Sequence, residues 1–267
     1  MHLNEPMIPA QQKAHPTLGL AVRVHPPRKN LLLRIRFLAI GAGTGAVVTS
    51  AGAFLRLYDA YQHYGPALIS RWTSPLLAAS GALWLFLILS ILDYQTLKSC
   101  CATVYEEGLV IRRKSREVDI RWEEIEALVI KATRYLIPFL SRQAPLRLQI
   151  LSAGRKTLSI QHTLEDMPGL IDTLKARVYP RLLEEYRHTL DQEGTVIMGP
   201  ISLSAAELRL GKRNIGWASV KQVHLEKGRV CLQFQSGKSK QTARIPAHKI
   251  PNVDLCIQII HHLGQIS

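Results

Sequence analysis

The sequence predicts a membrane helical hairpin followed by two tandem β-rich modules, each closed by a helix. Three observations predict it. Two long uncharged runs lie within the first hundred positions, short alternating apolar segments take over after Lys98, and one ordered set of landmarks then occurs twice. Composition agrees: the 267-residue chain is 47% hydrophobic yet carries a formal charge of +14. Its mean hydropathy of +0.04 is high for so basic a chain, so the apolar residues must be concentrated. That concentration speaks against a wholly soluble enzyme, and the polar remainder against a polytopic channel.

The elements follow in order. Residues 1–30 hold Pro6, Pro9, Pro16 and Pro26-Pro27 without a sustained period, which reads as a flexible polar arm. It is too long and too proline-rich ahead of the first apolar run for a cleaved signal peptide. A hairpin is expected over 31–97. Residues 37–55 and 72–92 carry no charge, and about 20 apolar residues at about 1.5 Å each cross a hydrocarbon core of about 30 Å. With flanking residues the spans are placed at about 34–55 and 72–93. Arg34 and Arg36 can snorkel at the first border, and Tyr58, Tyr61, Tyr64, Trp72 and Tyr94 suit the interface. Gly41 and Gly45 match the small-xxx-small spacing of closely packed helices, against the second span or another subunit. Basic residues crowd both outer ends (Arg23, Arg28, Lys29, Lys98, Arg112, Arg113), so both termini are expected on the cytoplasmic side of an inner or plasma membrane.

Beyond Lys98 the pattern is that of strands. Val118, Ile120 and Trp122 alternate with Asp119 and Arg121, and Ile125, Leu128 and Ile130 follow. Ninety-five positions on, Ile215, Trp217, Val220, Val223 and Leu225 repeat the arrangement. Pro168 and Pro251 then open helical patterns, as proline does in a first turn. Two copies are expected, over 98–192 and 193–267. The register of Trp122 and Trp217 with their apolar neighbours points to core positions rather than an exposed ligand platform. Pro180 should kink or divide the first closing helix.

Tyr105-x-x-Gly108-Leu109, Arg121-Trp122-x-x-Ile125, Gly199-Pro200 with Trp217, and Ile250-Pro251-Asn252 together resemble a bacterial membrane-protein family of uncharacterised function. Its members join a transmembrane hairpin to pleckstrin-homology-like domains. The resemblance spans roughly residues 30–264. It implies two tandem pleckstrin-homology-like domains, each an antiparallel barrel or sandwich capped by a C-terminal helix. It implies no activity. The second copy has Ala206-Glu207-Leu208 where the first has Glu107-Gly108-Leu109, so its opening hairpin is expected to differ.

No chemistry stands out, and no cofactor is expected. Cys100, Cys101, Cys231 and Cys256 form no CxxC pair and read as isolated reduced thiols. The histidines show no metal-ligand spacing, and Ser236-Gly237-Lys238 lacks the rest of a phosphate loop. From Lys98 onward, 26 Lys and Arg face 17 acids, a net +9. The densest runs are Arg112-Arg113-Lys114-Ser-Arg116 and Lys212-Arg213, on equivalent hairpins of the two copies. Near a membrane each basic residue is worth about 1 kcal/mol against anionic headgroups. Residues 135–140 could reach the interface as an apolar insertion or pack on the first module. Aromatic residues are not interleaved with the charge, which argues against nucleic acid. The expected function is non-enzymatic recognition or scaffolding at the cytoplasmic membrane surface, through anionic headgroups. The alternatives are an assembly subunit whose modules bind a membrane protein, and an enzyme with a pocket gathering His162, His188 or His224 beside carboxylates.

Overall fold

The computed structural model describes residues 15–64, 66–113, 116–132, 146–154, 156–160, 163–236 and 239–264. Lys114, His162 and the 135–140 insertion lie outside them. The chain runs β1 (Ala21–His25), α1 (Lys29–Tyr64), α2 (Pro66–Lys98), β2 (Cys101–Tyr105), β3 (Gly108–Arg113), β4 (Arg116–Arg121), β5 (Ile125–Ala132), β6 (Leu146–Ser152), β7 (Lys156–Ile160) and α3 (Met167–Asp191). The second module follows with β8 (Val196–Met198), β9 (Ile201–Leu203), β10 (Glu207–Leu210), β11 (Arg213–Gly216), β12 (Val220–Glu226), β13 (Arg229–Ser236), β14 (Ser239–Pro246) and α4 (Val253–Gly264).

Each copy is a four-stranded antiparallel sheet, a three-stranded antiparallel sheet and a helix. The sheets are β1-β2-β3-β4 with β5-β6-β7, and β8-β9-β10-β11 with β12-β13-β14. The arm expected over 1–30 therefore does not stay free along its length. Its Ala21–His25 segment is the edge strand of the first sheet, with Val24 opposite Thr103 and His25 opposite Ala102. Leu18 is buried with Tyr105 and Val110. The backbone after β1 is fastened too: Arg28 N donates to Thr163 O at 2.7 Å, and Glu165 N to Pro26 O at 2.9 Å. Module one thus begins before the helical hairpin and resumes after it.

The two long helices pack antiparallel, with Gly43 against Leu87 and Gly45 against Leu83. Ser50 Oγ and Ser80 Oγ share a hydrogen bond of 2.6 Å, and Trp84 Nε1 donates to Ser50 Oγ at 3.3 Å. Ala42, Ala46 and Ala53 are buried in the seam, whereas an added Cβ on Gly41 would meet nothing within 4 Å. The close contact thus uses the Ala42–Ala46 register beside the glycine pair read from sequence. Residues 56–64 and 66–71, which fall between the two expected spans, continue the helices. Two stretches, Lys29–His63 and Ser74–Lys98, are long and apolar enough to cross a membrane by length and composition. Only 11% of each apolar window is buried.

α3 stays one helix through Pro180. Leu174 and Val178 before the proline and Leu182 after it lie in one core cluster, so tertiary packing holds the axis across the missing hydrogen bond. Asp166 caps the helix by accepting from Gly169 N at 3.0 Å. Farther along, Leu190 joins the second core, while Leu183 and Tyr186 touch both. From the other side, Leu255 of α4 enters the first core.

Asn252 completes the junction between the modules. It is fully buried with φ of 50°. Its Oδ1 accepts from Leu128 N at 2.8 Å, and its own N–H donates to Leu128 O at 2.9 Å. Its Nδ2 donates to Glu126 O at 3.2 Å and to Tyr186 Oη at 3.0 Å. A side-chain amide at the start of α4 therefore serves β5 as an extra strand partner would.

Candidate functional site

Register brings the base of the helical hairpin and the first basic turn together. Cys101, three residues beyond the end of α2, pairs with Arg112, and Arg113 pairs with Arg116 at the tip of the β3–β4 hairpin. On the other side of β2, His25 pairs with Ala102 and the chain enters α1 at Lys29. One end of the first sheet thus gathers Lys98, Arg112, Arg113 and Arg116 with Arg28 and Lys29. Arg112, Arg113 and Arg116 are exposed. Among the described residues none of these three has a carboxylate within ion-pair distance, although Glu117 pairs across the strands with Arg112. Burial raises the Cys100 and Cys101 thiols above their usual range, and the charges of Arg113 and Arg112, respectively, pull them partly back.

The second basic turn is built differently. Lys212 is exposed in the β10–β11 turn beside Gly211, whose φ is 58°. Arg213 pairs with Leu210 and donates to Gln241 Oε1 at 3.3 Å. The first hairpin is two residue pairs longer, since Gly108–Arg121 corresponds to Glu207–Gly216 at the base. That projects its basic tip about 7 Å farther.

The repeat anchors occupy matching places. Trp122 and Trp217 are half-buried against their own cores and open short 3-10 turns. Trp122 Nε1 donates to Glu106 O at 2.9 Å, and Trp217 Nε1 to Ser204 O at 3.1 Å, each in the preceding hairpin turn. Ile125 and Val220 are buried. Pro168 stands in the first turn of α3, and Pro251 precedes α4. The Arg181 guanidinium adds bonds to Ile125 O at 2.5 Å and Trp122 O at 3.4 Å, tying α3 to the first Trp turn.

His25 is a residue that sequence reasoning passed over. It is buried at the β1–α1 junction, and its Nε2 has no hydrogen-bond partner. Burial, and then the charge of Arg23, lower its pKa; Asp166, ion-paired to Arg23 at 2.8 Å, acts in the opposite sense. Of the histidines singled out for a catalytic pocket, His188 lies on α3 beside Gln192 at 3.3 Å. A groove of about 430 Å³ between α3 and α4 is lined by Arg187, Asp191 and His262 with apolar neighbours, and contains neither His188 nor His224. His224 instead faces Cys231 across the β12–β13 ladder. The Lys227-Gly228 turn was the signal that could have paired them.

The sequence signature of DUF6585, a family of unknown function, matches residues 7–266. The chain belongs to DUF6585. The match takes in β1, the helical pair and both modules, so the family's unit is the whole arrangement rather than one repeat. Among curated proteins nothing matches the chain.

Proposed function

We propose that this DUF6585 chain is a non-enzymatic recognition or scaffold protein anchored at the cytoplasmic face of a membrane. In this reading α1 and α2 form the anchor, and the duplicated sheets with their closing helices are pleckstrin-homology-like modules. The basic end of module one, with Arg112, Arg113, Lys114 and Arg116, rests on anionic headgroups. The observation that carries this reading is the pairing of Arg112 with Cys101, which ties the basic tip to the exit of α2. The sparse burial of the helices supports the anchor. Phe37 and Val48 are each 70% exposed and Phe54 68%, and a soluble protein rarely leaves so large an apolar surface uncovered.

The test uses the full-length chain in nanodiscs of phosphatidylcholine alone or mixed with phosphatidylglycerol. Amide exchange across 109–120 should slow in the anionic discs and lose that difference in the combined Arg112→Glu, Arg113→Glu, Arg116→Glu variant. Equal exchange in both lipids would overturn headgroup contact and favour assembly on a protein partner. Recovery of the full-length chain from disrupted cells as soluble protein without detergent would overturn the anchor itself.

A further inference from the structure

The β12–β13 hairpin assembles three metal-ligating side chains that the fold does not require. The Lys227-Gly228 turn, with φ of 48° and 75°, sets Glu226 opposite Arg229 and His224 opposite Cys231. Glu226 lies two residues from His224, so strand alternation returns it to the same face. A ring nitrogen of His224, a carboxylate oxygen of Glu226 and the Cys231 sulfur lie within 4.8 Å of one another. The cluster is incompletely satisfied. His224 Nδ1 is closed off from solvent with no hydrogen-bond partner, a state that buried polar atoms rarely keep. Cys231 Sγ, in a residue only 4% exposed, has only a long hydrogen bond, donated to Glu226 Oε2 at 4.0 Å.

Duplication supplies an internal control. Val223 and Leu232 pair in module two as Leu128 and Ile150 pair in module one. Counting from those pairs, Val129, Lys131 and Gln149 stand where His224, Glu226 and Cys231 stand. The same ladder thus forms with no ligand at any of the three places, and with a cation in place of the carboxylate.

We propose that His224, Glu226 and Cys231 bind a zinc ion. Imidazole, carboxylate and thiolate form the mixed, borderline-soft set that zinc takes, and three protein ligands leave a fourth tetrahedral position for water. The thiol releases one proton to solvent as the Zn–S bond forms. Thiolate and carboxylate then balance the dication. Two neighbouring cations must give way. Lys227 Nζ now sits 3.5 Å from Glu226 Oε1, and exposed Arg244 pairs across the ladder with Cys231.

The experiment titrates cobalt(II), then zinc, into the untagged, metal-free, full-length chain in detergent. A single cobalt equivalent with a thiolate charge-transfer band, displaced by zinc, is the expected result. Cys231→Ser should abolish the band and weaken binding by more than about 100-fold, and Glu226→Gln, on an exposed side chain, by about tenfold. The Cys100→Ser, Cys101→Ser double variant should keep the band. Absence of a thiolate band in the parent chain, or a band that survives both Cys231→Ser and Glu226→Gln, would overturn the site.

Discussion

The two modules differ most where their first two strands meet. In module two, β8 turns into β9 through Gly199-Pro200, with Met198 paired to Ile201. In module one the equivalent pair is His25 and Ala102, and between them stand both long helices. A β-turn and an antiparallel helix pair solve the same closure problem. Adjacent strands lie about 5 Å apart, packed helices about 8–10 Å apart, so either can leave and return at one place. The helical pair is therefore an insertion into a hairpin turn, and the sheet around it need not change.

Removing the insertion gives the largest effect. A chain with 26–101 replaced by Asn-Gly, a favoured two-residue hairpin turn, should be soluble without detergent and unfold in one transition. A fragment starting at residue 98 lacks β1 and Leu18, and should show fast amide exchange across β2 and β3. An insoluble turn-replacement chain, or a fragment as protected as the full protein, would break the equivalence of the two turns.

A smaller effect compares one cross-strand position. Gly108 faces Arg121, and Glu207 faces Gly216, so the glycine sits on opposite strands in the two copies. This is the physical form of the expected difference between the opening hairpins. A Cβ on Gly108 would come within 2.4 Å of Ile120 O and 2.8 Å of Leu18 Cδ2. Gly216, with φ −65° and ψ 145°, has open space around its missing Cβ. Denaturant unfolding should show Gly108→Ala losing about 3 kcal/mol through overpacking, and Gly216→Ala gaining about 0.5 kcal/mol through a stiffer unfolded chain. Equal losses would mean that the two glycine sites are not packed differently.

Acid should separate the copies by the smallest margin. His25 is buried where module two has buried Met198. Its folded pKa lies below 6.5, so the unfolded chain binds the extra proton first as pH falls. Stability from His25 is then complete above that value and declines through the window beneath it. His25→Met should flatten this part of the pH–stability curve in thermal melts. A curve that keeps its full acid slope would place the loss elsewhere.

Much of this was legible because the signals were local. Charge-free runs marked α1 and α2, and the spacing around Trp122 and Trp217 marked the repeat. β1 was not legible, because a five-residue strand ending before Pro26-Pro27 meets its partner only across two helices. Pro180 looked like a helix break because local propensity cannot register Leu174, Val178 and Leu182 sharing one core. The meeting of His224 with Cys231 lay between these cases, since it required only the turn to be placed at Lys227-Gly228.

Placing the helices inside a sheet also sets an order of events during synthesis. The ribosome delivers β1 first, but its partner β2 emerges only after both helices have been made. Every strand of the second module, in contrast, emerges in one unbroken stretch. Module one therefore cannot close its first sheet around a half-made hairpin, and Asn252, which follows every strand of both modules in the chain, can dock only on a β5 already made.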